Sequence, residues 1–153
     1  MLGPEQEQWL DAAWDSARSK SVGWNIIGQQ SLIGQRDWKA GPDQSFWNDG
    51  WDGYSAARTR LTDSARKHSV ANLVVLGGDV HENWVGQIKA DYSQPSSAAV
   101  GVEFCGTSIT SRSGGNNKLT ETLAENPHFL FADAERKGYS VVEISPNQIK
   151  TTL

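Results

Sequence analysis

Leu73-Val74-Val75-Leu76-Gly77-Gly78-Asp79-Val80-His81 is the stretch on which the reading of this chain turns. Four consecutive apolar residues lack the alternation of a half-exposed strand and are too few for a helix. Such a run reads as an interior strand covered on both faces. It ends in paired glycines and then presents Asp79 and His81. Ligands of open α/β sheets usually bind at the carboxyl ends of strands, and glycines there let the backbone turn and leave room for them. In extended backbone Asp79 and His81 point the same way, because side chains alternate with a period of two. A carboxylate and an imidazole converging on one point suit a divalent or trivalent metal ion. The same spacing also fits a turn in which Asp79 caps the next segment and His81 packs partly buried.

Upstream of this strand, Ser55 to His68 has the spacing of a helix, with Ala57, Leu61, Ala65 and His68 on one face and Ser55 as its cap. Further back, Pro4 to Arg18 reads as an amphipathic helix with Trp9, Leu10, Ala13, Trp14 and Ala17 along one stripe, and Val22 to Ile27 as a strand. Between them, residues 31–54 lose all periodicity. The segment is polar, glycine-rich and rich in tryptophan, and a loop of this length inside a compact domain is functional or disordered. Trp38, Trp47 and Trp51 argue against disorder, because their apolar area must be covered. Downstream, Val85 to Ala90, Ala99 to Cys105 and Tyr139 to Ile144 read as strands, with a short one from Gln148 to Thr152. A weak helix from Lys118 to Glu125 is stopped by Asn126-Pro127. The pattern is α/β, with a mixed sheet, helices early and strands late.

The chain has 153 residues, 37% of them hydrophobic. A chain of this length hides roughly 68–70% of its unfolded surface, which supports one core and one domain over 1–153. Fourteen basic against eighteen acidic residues give a net charge of −4, without the basic excess of a nucleic-acid-binding patch. No apolar run reaches the roughly 18 residues of a membrane span, and no signal segment opens the sequence. A single cysteine, Cys105, excludes an internal disulfide and a Cys-rich zinc site.

Other candidates carry less chemistry. His68 sits where a helix-ending histidine is expected. His128 follows Asn126-Pro127 and reads as a turn or surface residue. Cys105 ends an apolar strand, where a buried inert thiol is the default. Ser108 has no glycine two residues on, so Gly106-Thr107-Ser108-Ile109-Thr110 is no nucleophile elbow. Asp79 and His81 alone cannot complete a metal site, which needs about three protein ligands per ion. Either carboxylates such as Asp52 contribute, or the remaining ligands lie outside this chain.

The ordered set of motifs resembles the C-terminal part of the PhoD-like alkaline phosphatases of the metallophosphoesterase superfamily. The matching stretches are Leu2-Gly3-Pro4-Glu5-Gln6-Glu7-Gln8-Trp9-Leu10, Trp24-Asn25-Ile26-Ile27-Gly28-Gln29-Gln30, and Trp51-Asp52-Gly53-Tyr54 with Arg58 and Arg60. The series continues through Asn72–His81, Val102-Glu103-Phe104, Thr107-Ser108-Ile109-Thr110-Ser111, Asn126-Pro127-His128 and Lys137-Gly138-Tyr139. The resemblance implies the C-terminal half of an αββα sandwich and metal-dependent hydrolysis of phosphate mono- or diesters. It makes Asp79 a metal ligand and His81 a ligand or phosphate-facing catalytic residue, with iron and calcium as the metals. The implied chemistry is polarisation of the phosphoryl oxygen and attack by a metal-activated oxygen nucleophile.

The family's earlier motifs, which supply most of its metal-binding residues, precede the region that matches. The resemblance therefore implies a missing N-terminal half as partner, a phosphate ester as substrate, and a periplasmic or secreted setting. The chain looks like a fragment, a split gene product or a degenerate copy. The competing expectation is a non-catalytic remnant or binding module, with the Trp-rich loop at 35–54 as its surface.

Overall fold

A computed structural model describes residues 2–153. Helix α1 (Pro4–Ser19) begins on a proline, with Glu5 and Glu7 in its first turn and Arg18 in its last. These charges complement the helix dipole. Strand β1 (Asn25–Gly28) starts three residues later than the sequence suggests. A 3-10 turn (Trp51–Tyr54) runs directly into helix α2 (Ser55–Lys67), so Tyr54 rather than Ser55 is the capping position and no side chain caps the helix. Strands β2 (Leu73–Gly77), β3 (Asn83–Lys89) and β4 (Ala99–Cys105) follow, then helix α3 (Leu119–Glu125). Strand β5 (Phe129–Asp133) has no counterpart in the sequence pattern, and β6 (Val141–Ile144) and β7 (Ile149–Thr152) form a separate hairpin.

The five-stranded sheet has the order β1-β2-β4-β3-β5. β1, β2 and β4 are parallel, and β3 is antiparallel to both of its neighbours. Register sorts the side chains onto two faces. Ile27, Val75, Glu103 and Gly86 form one row across the sheet, and Ile26, Val74, Val102 and Gln87 form the next. The first face is sealed. Trp14 from α1, Leu61 and Ala65 from α2, and Ile33 and Trp51 from the long loop pack on Leu73, Val75 and Ile88. A second cluster joins Leu32, Trp84, Cys105, Leu119 and Phe129 under α3. Gly86 permits this packing, because a Cβ there would come within 2.5 Å of the Phe129 ring. The other face is apolar and only partly open: Val74 on it is 2% exposed, whereas Ile26, Val102 and Phe131 are 40%, 39% and 42% exposed.

Leu73, Val74 and Val75 are 4%, 2% and 0% exposed, as an interior strand requires. Past its end, the pairing continues. Gln29 N–H donates to Leu76 O at 3.0 Å, Gly78 N–H to Gln30 O at 2.9 Å and Gly106 N–H to Gly77 O at 2.9 Å. Gly77 is needed at this crossing, where a Cβ would lie 2.6 Å from the Ser31 carbonyl oxygen. The carboxyl edges of β1, β2 and β4 are thereby stitched into one rim.

Trp84 is fully buried and stacks on Phe129 at 4.9 Å. Trp84→Ala should destabilise the chain by about 3–5 kcal/mol, read from the midpoint of urea unfolding.

Candidate active site at the carboxyl rim of the sheet

The turn between β2 and β3 carries Asp79 and His81, and its backbone departs from the extended form that spacing suggested. Asp79 has φ +68° and His81 φ +63°. Both occupy the left-handed region, which is uncommon outside glycine and tends to persist where surrounding structure enforces it. The period-two argument for a shared direction therefore does not apply. What brings the two residues to the rim is a tight left-handed turn anchored at its far end.

That anchor is Glu82. Its carboxylate is buried, meets Arg36 Nη1 at 3.0 Å and accepts the indole N–H of Trp84 at 2.9 Å. Arg36 in turn lies over the Trp38 ring at 3.9 Å and the Trp84 ring at 5.0 Å. Burial pulls the guanidinium below its ordinary pKa, and the Glu82 charge opposes that pull. Removing either partner would strand the other charge inside.

Asp79 is exposed, and among the described residues its carboxylate makes no hydrogen bond or ion pair. His81 is half-buried, and its Nδ1 lies 3.1 Å from the Arg112 carbonyl oxygen. A carbonyl only accepts, so Nδ1 carries a proton in this contact, and among the described residues Nε2 has no hydrogen-bond partner. That is the arrangement of a metal-binding histidine, whose second ring nitrogen commonly donates to a backbone carbonyl. By type, a carboxylate and an imidazole are residues that can ligate a cation. The pair cannot be the whole of a cation site: among the described residues, no three His, Cys, Asp or Glu side chains gather where they could hold a metal ion.

Asp52 does not supply the missing ligand. Its side chain is 9% exposed, pairs with Arg58 Nη1 at 2.5 Å and accepts the Arg36 backbone N–H at 3.1 Å. Cys105 is buried; its thiol donates to Gly78 O at 3.2 Å, and burial pushes its pKa up, so it is inert. Ser108 Oγ donates to Ser111 O at 2.6 Å, and among the described residues no histidine hydrogen-bonds to it. His68 is buried between Asp15 at 2.7 Å and Asp11 at 3.0 Å, where it joins α2 to α1. His128 lies in a turn, as expected, and is half-buried rather than on the surface. Its Nε2–H donates to Gln35 O at 2.7 Å, and burial brings its pKa down to about 4.

Sequence reasoning assigned no role to Glu103. It is 1% exposed and accepts the backbone N–H groups of Ile33 at 2.6 Å and Gly34 at 2.9 Å. The long loop is thus clamped onto the sheet. Asn126 completes the clamp by exchanging hydrogen bonds with the Asp37 backbone, both at 2.8 Å. Inward alternation from Cys105 offered the signal for Glu103, since a carboxylate on a buried face must find donors.

The chain is an α/β unit with a mixed sheet, and Asp79 and His81 stand in the turn at its carboxyl rim, where ligands of open α/β sheets usually bind. The family model described as PhoD-like phosphatase matches residues 1–153. Alkaline phosphatase D of Bacillus subtilis (strain 168) is 37% identical over 153 residues, covering 98% of this chain and 26% of that protein. A solved structure described as "Structure of PhoD" superposes with a TM-score of 0.88 at 36% identity, over 98% of this chain and 28% of that one. The chain belongs to the PhoD-like phosphatase family. It spans about a quarter of the length of these relatives.

Burial pushes the Glu103 carboxyl up to about 7, against the lowering effect of its two N–H donors and of Arg58 and Arg36. A carboxyl whose folded pKa is raised binds more protons folded than unfolded. Its contribution is fully present below the unfolded value near 4.5 and is lost as pH rises through 7. Glu103→Gln should therefore flatten the decline in urea midpoint between pH 5 and 8. It should also lower stability by about 1–3 kcal/mol at pH 5, because an amide can accept from only one of the two N–H groups.

Proposed function

We propose that this chain supplies one part of the active site of a metal-dependent phosphatase acting on phosphate mono- or diesters. It would contribute Asp79 and His81, and the rest of the site would come from a portion corresponding to the remaining length of its relatives. The observation that supports this reading is that one turn at the carboxyl rim carries both residues: among the described residues the Asp79 carboxylate has no hydrogen-bond or ion-pair partner, and His81 is held through Nδ1 by the Arg112 carbonyl while Nε2 has no partner. Iron and calcium are the metals this reading assigns. A metal ion held there would polarise a phosphoryl oxygen and stabilise charge on it.

The chain's own residues have separate tasks. Asp79 offers a charged oxygen ligand. His81 offers Nε2 and is kept from rotating by the Arg112 carbonyl. Thr107 buttresses the turn, with its hydroxyl 3.1 Å from the His81 carbonyl and its N–H donating to Asn83 Oδ1 at 3.1 Å. Residues 1–153 act as one unit in this reading, and the open sheet face is where the complementary portion packs. Exposed Ile26, Val102 and Phe131 support that role, since an apolar sheet face of this kind is normally covered. The Trp-rich loop is anchored by its buried Arg36, Asp37 and Trp51, but Trp38 and Trp47 are 40% and 37% exposed, against the expectation that all three tryptophans are covered, so a binding surface at 35–54 is the second reading.

Titration of the chain with Ca2+ and Fe3+ should show binding that Asp79→Ala weakens at least about tenfold, with the fold retained. Adding the complementary portion of a PhoD-like relative should produce hydrolysis of p-nitrophenyl phosphate or its bis ester that a chelator removes. Hydrolysis indifferent to both Asp79→Ala and chelator would refute the assignment. Ser108→Ala should leave the rate unchanged.

A further inference from the structure

Most cations of this chain are neutralised by carboxylates. Arg36 meets Glu82, Arg58 meets Asp52, Arg60 meets Glu7 and Lys67 meets Asp11. Lys137 differs. Its Nζ donates to Ser113 Oγ at 3.0 Å and to the His81 carbonyl oxygen at 3.4 Å, and among the described residues no carboxylate lies within ion-pair distance of it. Both acceptors are neutral, so the charge is held in place without being cancelled.

An exposed lysine ordinarily leaves its ammonium free in solvent, because fixing a long flexible chain loses rotamer entropy. Here the segment that bears it is stitched down. Gly138 N–H donates to Ser108 O at 3.2 Å, and the Thr107 hydroxyl lies 3.1 Å from the carbonyls of both Arg136 and His81. Ser113 Oγ, the better of the two Lys137 acceptors, is itself bonded to Ala134 O. Two segments, at Ser113 and at His81, therefore hold the ammonium against the turn that presents Asp79 and His81. Two acceptors occupy two of its three N–H groups and leave the third for something else.

We propose that Lys137 is an anion-positioning residue that holds the phosphoryl group of the substrate, or inorganic phosphate, at the rim beside His81. The proposal rests on the phosphatase reading for the ester, though not for the anion. A compact ammonium is well matched to phosphate oxygens as a point charge. A purely mechanical latch between residues 81 and 113 would need no net charge, and the uncancelled ammonium is what favours an anion.

The test is an NMR titration of the chain with inorganic phosphate at low ionic strength, following the Lys137 side chain and the His81 backbone. Saturable shifts at both are expected. Lys137→Met, which keeps the apolar stem and removes the charge, should weaken phosphate binding about tenfold. Lys137→Arg should recover most of it, and the thermal midpoint should not move in either variant. In the reassembled enzyme, Lys137→Met should raise KM for p-nitrophenyl phosphate about tenfold with little change in kcat. Absence of any phosphate-dependent shift overturns the proposal. So does equal affinity in Lys137→Met, or a loss that merely follows a fall in thermal midpoint. If phosphate binds through Lys137 but the reassembled wild type hydrolyses no ester, the anion site stands and the phosphatase reading fails.

Discussion

The buried ion pair between Arg36 and Glu82, 3.0 Å apart, is the constraint on which the rim depends. Arg36 belongs to the long loop after β1, and Glu82 closes the turn after β2. Their pairing makes one object of two segments far apart in the chain. Arg36 is wedged between the Trp38 and Trp84 rings, so the pair also registers the loop against β3. Two charges in so apolar a setting contribute less to net stability than to uniqueness, because any other arrangement leaves one of them unpaired inside the protein. The reward of that specificity is geometric: a turn with Asp79 and His81 both at positive φ is kept in that form.

The loop itself shows why tryptophans and buried charges occur together here. Glu103 takes the N–H groups of Ile33 and Gly34, Arg58 reaches the Ile33 carbonyl, Asp52 and Gln35, and Asn126 brackets Asp37. A segment without regular structure has no ladder to satisfy its backbone, so side chains must do so once it is buried. Trp51 adds apolar area to the core, and its indole N–H donates to Gln29 Oε1 at 3.0 Å. The result is an irregular cap that behaves as part of the sheet's covering layer.

The two sheet faces differ in a way that bears on function. The helix-covered face is filled by Trp14, Leu61, Ile33 and Trp84, whereas Ile26, Val102 and Phe131 on the other side stay accessible. The β6–β7 hairpin reaches only part of that side; it is tied near β1 by the Trp24 indole N–H donating to Ser145 O at 2.8 Å. An accessible apolar face and, in the proposed reading, a site with only two of its ligands are the same circumstance seen from two directions. Both agree with a chain spanning about a quarter of the length of its relatives.

The sequence alone determined the interior strand, both long helices, strand Ala99–Cys105 and the glycine turn bearing Asp79 and His81. These depend on local periodicity and on glycine's backbone freedom, which neighbouring residues suffice to specify. It also carried the family likeness, through motifs in order. Strand β5 escaped it because Phe129–Asp133 is short, bulged against β3 and alternates only weakly. The fate of Asp52, the inward Glu103 and the free Nε2 of His81 belonged to tertiary structure. Each is decided by a partner at least six positions away, and most by partners many tens of residues distant. A carboxylate reads the same in sequence whether it awaits a cation or is already matched to an arginine; only the folded chain brings that arginine to one and withholds it from the other.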